Sequence, residues 1–152
     1  MSAMKVRQLS VFIANEAGRV SEVTDLLGSA GVNIRGFAVS DTAEYGILRL
    51  IVDKPDDAKT ALKHGGFTVK ESDVICINLP DKPGGLASVL KIVAAAGVNI
   101  EYVYSLIATY VVINVGDADR ALRLLEGQPV QLVSQKEIAS IRCTEEIGGR
   151  ES

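Results

Sequence analysis

A chain of 152 residues holds one medium domain or two small ones. Its 47% hydrophobic and 23% charged residues are the composition of an ordered protein and exclude a disordered one. With a net charge of −3 and Lys and Arg scattered along the chain, binding to a phosphate backbone has little electrostatic support; no apolar run approaches the ~20 residues of a membrane span.

In chain order, "VRQLSVFIA" alternates Val6, Leu9, Val11 and Ile13 closely enough to predict a strand. "GRVSEVTDLLGSAG" sets Val20, Val23, Leu26, Leu27 and Ala30 at helical spacing, and Gly31 ends that helix. "VNIRGFAVSD" and "YGILRLIVD" predict two strands joined through the polar "DTAE" turn. "PDDAKTALKHGG" has Pro55 and two acids at its start and glycines at its end, the marks of a short helix, and "FTVKES" predicts a further strand. The series then runs again: "DVICINLP", "GGLASVLKIVAAAG", "VNIEYVYSL", "TYVVINVG", "DADRALRLLEG" and "PVQLVSQ". "KEIASIRC" fits an edge strand or a helix, and "TEEIGGRES" reads as a frayed tail.

The recurrence is visible residue by residue. Gly18, Val23, Ala30, Gly31, Val32, Asn33 and Ile34 match Gly84, Val89, Ala96, Gly97, Val98, Asn99 and Ile100, each 66 positions on. The chain therefore carries one unit twice, with expected domains at residues 1–72 and 73–143 and a flexible tail at 144–152. Each unit has the order β-α-β-β-α-β. The predicted fold class is α+β: two tandem ferredoxin-like βαββαβ domains, antiparallel sheets with helices on one face. Units of roughly 70 residues bury a limited core, so packing of the two together, or dimerisation, is expected to add stability.

The start of the chain lacks the charged-then-apolar order of a signal peptide. Cys76 and Cys143, one per unit and each within an apolar alternation, read as buried thiols of a reducing compartment, and the cytoplasm is the expected location.

The inventory for catalysis is thin. His64 ends a predicted helix, where a capping cation or solvated residue accounts for it. No nucleophile has a base beside it in a motif, and there is no C-x-x-C, so no catalytic residue, metal site or cofactor is expected. Asp56, Asp57, Asp117 and Asp119 stand at helix starts, where the helix dipole explains them. An RNA-binding sheet of this topology wants an aromatic-rich third strand preceded by a cation, whereas "YGILRLIVD" and "TYVVINVGD" are aliphatic. Tyr102 and Tyr104 are expected instead in a sheet-to-sheet or dimer contact.

The repeated loops remain. In "DKPGGL" the glycines let the backbone approach a partner closely, and the following helix presents unpaired N–H groups that suit a carboxylate. Asp81, and Asn15 at the matching place, can accept a hydrogen bond from an ammonium group, with Asn33 and Asn99 beginning the adjacent strands. That constellation suits an α-amino acid. The alternative stands beside it: Asp81 and Asn15 bracing the first turn, and Asn33 and Asn99 closing the turn after the helix.

At these residues the sequence resembles the ACT domain family, in a form with two tandem domains. The resemblance covers residues 5 to about 136 and rests on "NEAGRV", "DKPGGL", both "AGVNI" turns and the element order. It implies a regulatory protein that binds a small effector, commonly an amino acid, at an interface between ACT units, and that controls a partner such as an enzyme of amino acid metabolism. Carried over by position, the ligand contacts would be Asn15, Gly18, Arg19, Val20 and Asn33 in the first unit. In the second they would be Asp81, Gly84, Gly85, Leu86 and Asn99, with Val32, Ile34, Val98 and Ile100 supplying backbone contacts. Ala17 stands where the family usually has proline, and Arg19 where the second copy has Gly85, so the two sites are not expected to be equivalent. The Asp81–Gly85 loop, completed by the face of the first unit, is the preferred site. The reading is a non-enzymatic, homodimeric amino-acid sensor; the alternative is an interaction module that dimerises through its sheets without a ligand.

Overall fold

The computed structural model describes residues 4–14, 16–41 and 45–141. The elements are β1 (Val6–Ala14), α1 (Arg19–Ser29), β2 (Ile34–Asp41), β3 (Tyr45–Val52), α2 (Pro55–His64) and β4 (Thr68–Asn78), followed by α3 (Gly85–Ala95), β5 (Tyr102–Ser105), β6 (Tyr110–Asn114), α4 (Ala118–Leu125), β7 (Gln131–Val133) and α5 (Gln135–Ser140). Two βαββαβ units are present, and α3 repeats α1 at the offset of 66 residues that the sequence carries.

Where the sequence predicts two strands, "FTVKES" and "DVICINLP", the structure has one. β4 runs unbroken for 11 residues through both. No Gly or Pro interrupts Thr68 to Asn78, so nothing punctuates the chain there, and the junction of residues 72 and 73 lies inside a strand. The first half of β4 pairs with β1 (Val6 opposite Val74), and its second half pairs with β6 and with β7. All pairings are antiparallel, in the order β2-β3-β1-β4-β6-β5 with β7 also on β4.

Three cores follow from the alternation of side chains along these strands. In β1, Leu9, Val11 and Ile13 point to the helices and join Val23, Leu27 and Leu62 in the first core. The second repeat buries Ile75, Ile77, Val89, Val93 and Leu122 in the same way. The third core unites the repeats: Val6, Ile51, Val74, Cys76, Leu106, Val112, Val133 and Ile138. The sheet thus folds about β4, and its two ends meet, with Gly36 of β2 bridged to Leu106 and the Ile107 N–H donating to the Arg35 carbonyl at 3.0 Å.

The tyrosines of β5 lie in that sheet-to-sheet contact. Tyr104 donates its hydroxyl to Gln8 Oε1 at 2.6 Å, Gln8 Nε2 donates to the Tyr102 hydroxyl at 2.6 Å, and the two rings stack 6.3 Å apart. Cys76 is buried in the same core, and burial pushes its thiol up to about 12. "KEIASIRC" begins as a helix because Ser134 and Glu137 form a reciprocal capping box at its start, and Ile138 drops into the third core. Cys143 and the expected tail at 144–152 lie outside the described residues. Among the described residues no helix is long and apolar enough to cross a membrane.

Outside the first core, Arg7 pairs with Asp56 at 2.8 Å and with Glu71, and Lys59 reaches Glu71 at 2.9 Å. Hydrogen bonds from Lys59 and then Arg7 hold the Glu71 carboxyl below its ordinary value of 4.5. A carboxyl whose folded pKa is depressed stabilises above its unfolded pKa, and that stability is lost as pH falls through the folded value. Urea midpoints are therefore expected to fall below about pH 5, and Glu71→Gln to flatten that fall; equal slopes in the variant and the wild type would exclude this cluster as the cause.

Candidate functional site

The two repeated loops reach α1 and α3 by the same geometry. Gly18 and Gly84 are the N-caps, in the left-handed region at φ 87° and 82°, which glycine adopts without strain. No side chain among the described residues caps either helix; the Arg19 and Gly85 N–H groups donate to the Glu16 and Lys82 carbonyls, which leaves those of Val20 and Ser21, and of Leu86 and Ala87, as the first-turn donors. Asn15 lies outside the described residues. Arg19 is taken up by acids of its own turn, with Glu22 at 3.1 Å and Glu16 at 3.6 Å, and sits 6.0 Å from the Phe67 ring. Val20 is exposed one residue further on.

Asn33 ties β2 to the end of β3. Its N–H donates to Asp53 Oδ1 at 2.8 Å, and its carbonyl accepts the Asp53 N–H at 3.1 Å. Val32 and Val98 are buried, while Ile34 and Ile100 pack half-buried on their respective cores. In the second loop Asp81, Gly84 and Leu86 face solvent. Gly85 is buried against the backbone: a Cβ there would lie 2.1 Å from the Pro80 carbonyl oxygen. Asn99 is exposed and edges a shallow cavity of about 80 Å³ with Val98 and Arg120.

A more apolar groove of about 640 Å³ lies between the repeats. From the sequence-derived set it takes Val20 on α1 and Ile34 on β2; to these it adds Arg35, Gly36, Leu106 and Ile107. Phe37, at 65% exposure, stands on its rim. Asp81, Gly84, Gly85, Leu86 and Asn99 are not part of this lining. Sequence reasoning missed Arg35, Gly36, Leu106 and Ile107 because the loops drew attention to helix starts. The residues after β5 join the site only through the folding of the sheet about β4. A signal was nonetheless present: Arg35 is the position at which the second repeat carries Glu101, a charge reversal immediately after the matching stretch Ala30–Ile34.

A second, polar groove of about 580 Å³ includes Asp73, Glu101, Asp117 and Asp119. Lys5 pairs with Asp73 at 3.8 Å and Asp119 at 3.3 Å. Among the described residues no group of three or more His, Cys, Asp or Glu side chains is placed to hold a metal ion. His64 is exposed at the end of α2.

A family model for the ACT domain pair matches residues 4–142. The chain belongs to the ACT domain pair family. The match begins just before β1 and takes in α5. Among solved structures, the ACT pair resembles protein BT0572 from Bacteroides thetaiotaomicron at 38% identity and a TM-score of 0.85, over 93% of this chain and 100% of that one. It also resembles the regulatory subunit of aspartate kinase from Thermus thermophilus in its ligand-free form (19% identity, TM-score 0.59, 81% of this chain and 91% of that one). The corresponding subunit from Thermus flavus gives 18% identity and a TM-score of 0.54 over 80% of this chain and 91% of that one. At such identities the two Thermus structures speak for the fold alone. No curated protein matches the sequence. The fold is that of the ACT domain pair.

Proposed function

We propose that this ACT pair is a non-enzymatic regulatory protein that binds an α-amino acid in the groove between its repeats. It signals by an altered arrangement of domains or subunits. The observation that carries the proposal is the groove itself. Its walls come from both repeats, and its α1 wall, at Val20, belongs to a first turn that no side chain caps. Apolar walls suit an aliphatic or aromatic side chain, and the uncapped amides suit a carboxylate. Asn33 and Asn15 complete the first-repeat site in this reading. The Asp81, Gly84, Gly85, Leu86 and Asn99 set, with Val98 and Ile100, is subordinate, because none of these residues lines the groove between the repeats.

A ligand held between two repeats favours the arrangement in which both contact it, and the bias equals its differential affinity for the two arrangements. In this reading the regulated partner is an enzyme of amino acid metabolism. A ligand-free interaction module is the second reading; Phe37 and Val39, 65% and 52% exposed on edge strand β2, favour it, with a second copy as the partner.

Thermal unfolding against each of the twenty amino acids at millimolar concentration separates the readings. A ligand at 100 times its Kd adds about 2.7 kcal/mol of stability. A clear upward shift in Tm with at least one amino acid is expected; twenty flat curves would contradict the sensor reading, and a concentration-dependent dimer would then support the second.

A further inference from the structure

Helix α5 belongs to the second repeat by sequence and to the first by its bonds. It follows β7, whose last residue Val133 lies opposite Cys76, and the capping box at Ser134 starts it. Gln135 Oε1 accepts the Arg7 N–H of β1 at 3.1 Å, and Gln135 Nε2 donates to the Val52 carbonyl of β3 at 3.0 Å. At the far end the Arg35 guanidinium of β2 donates from Nε to the Ile138 carbonyl at 3.2 Å and from Nη2 to the Ile141 carbonyl. A cation suits that end, where a helix leaves carbonyls unpaired and partly negative. Among the described residues, every hydrogen bond from 135–141 to a residue outside 134–141 goes to the first repeat.

A helix of 6 residues does not hold its shape alone. Ile138 is the side chain that α5 buries, while Lys136, Glu137, Ala139 and Ser140 face solvent. Neither repeat's own core contains a residue of α5. Ile138 packs instead into the third core, with Cys76 and residues of both repeats. Burial first, and then the Glu137 carboxylate of α5, push the Cys76 thiol up to about 12. Few buried contacts and a row of separate attachments mark a segment that opens by itself. We infer that α5 is a strap across the two repeats, and that it undocks as a unit from a hinge at Ser134, baring the core between the repeats while each repeat stays folded. The inference needs no ligand and stands apart from the proposed amino-acid site. It names a place where the hold of one repeat on the other can be released without unfolding either.

Cys76, fully buried in the core that Ile138 joins, is the reporter. The test alkylates the full chain with iodoacetamide and resolves the product by peptide mass, so that Cys143 is counted separately, with amide hydrogen exchange beside it. Cys76 is expected to react at least about tenfold faster than global unfolding allows, and with a shallower dependence on urea. The Ile138 and Ile141 amides are expected to exchange with the same opening constant. Ile138→Ala is expected to raise Cys76 alkylation by about thirtyfold or more, the scale of a large-to-small change in a core. Leu62→Ala, in the first repeat's core, weakens the closed and the strap-open forms alike. It is therefore expected to lower the urea midpoint and leave alkylation within about twofold of wild type. Alkylation that follows global unfolding in urea, or that rises equally in the two variants, would overturn the inference. Should either variant not fold, the urea dependence of alkylation in wild type decides: a slope equal to that of global unfolding overturns it, and a shallower one shared with the α5 amides supports it.

Discussion

Replacing Gly85 by alanine is expected to destabilise the protein by about 3 kcal/mol, the upper range for forcing extra volume into a packed interior. The reason is backbone, not side chain. The new Cβ would lie 2.1 Å from the Pro80 oxygen and 3.2 Å from the Pro80 carbonyl carbon, and Pro80 itself has little freedom to retreat. The loop is closed besides by the Lys82 N–H donating to the Pro80 carbonyl at 3.0 Å and the Gly85 N–H donating to the Lys82 carbonyl at 2.9 Å. Displacing Pro80 therefore disturbs the bonds that bring the chain from β4 into α3. Gly28 is the control, because a Cβ there meets nothing within 4 Å and the residue sits inside α1. Gly28→Ala is expected to be neutral or to stabilise by about 0.5–1 kcal/mol. Urea unfolding of the two variants checks this, and wild-type stability in Gly85→Ala would show that Pro80 does not constrain the loop.

Gln8→Ala is expected to cost about 3 kcal/mol, through lost volume and an orphaned hydroxyl together. Gln8 is fully buried, and its amide group joins the two repeats by accepting from Tyr104 and donating to Tyr102. Tyr102 keeps a partner after the substitution, since Asn114 Nδ2 donates to it at 2.8 Å and the Arg49 guanidinium lies 4.2 Å from its ring centroid. Tyr104 does not. Burial already holds its phenol well above the ordinary range, so the neutral hydroxyl is left in a half-buried contact without the acceptor it had. Gln8→Leu restores much of the volume yet leaves the same hydroxyl unsatisfied, and adding Tyr104→Phe to it removes the orphan. Stability is expected to recover in the Gln8→Leu, Tyr104→Phe pair relative to Gln8→Leu alone. A pair no more stable than the single variant would show that packing, not the hydrogen bond, sets the cost.

Both positions show how far the sequence could be read. The element order and the repeat were legible because apolar periodicity and helix-ending glycines are local signals, and they recur at one offset. Gly85 was read only as part of a loop whose glycines let a partner approach, and the close approach to Pro80 that requires it is a matter of packing no spacing rule contains. Gln8 gave no signal at all: it sits in a strand pattern as an ordinary polar residue, and its burial arises only because the sheet folds about β4. The same event hid the groove. Val20 and Ile34 were placed by their nearness to the α1 loop, while Leu106 and Ile107 come from the other repeat and Arg35 is buried by a helix whose existence the sequence left open. Local chemistry was thus readable, and contacts across the two repeats were not.

The most direct test of the account is backbone NMR mapping of the full chain titrated with the amino acid that raises its melting temperature. Shift changes concentrated at Val20, Ile34 to Gly36 and Ser105 to Ile107 are the predicted result. Changes confined to Asp81 to Leu86 and Gly97 to Asn99, or none with any amino acid, would contradict a ligand site between the repeats.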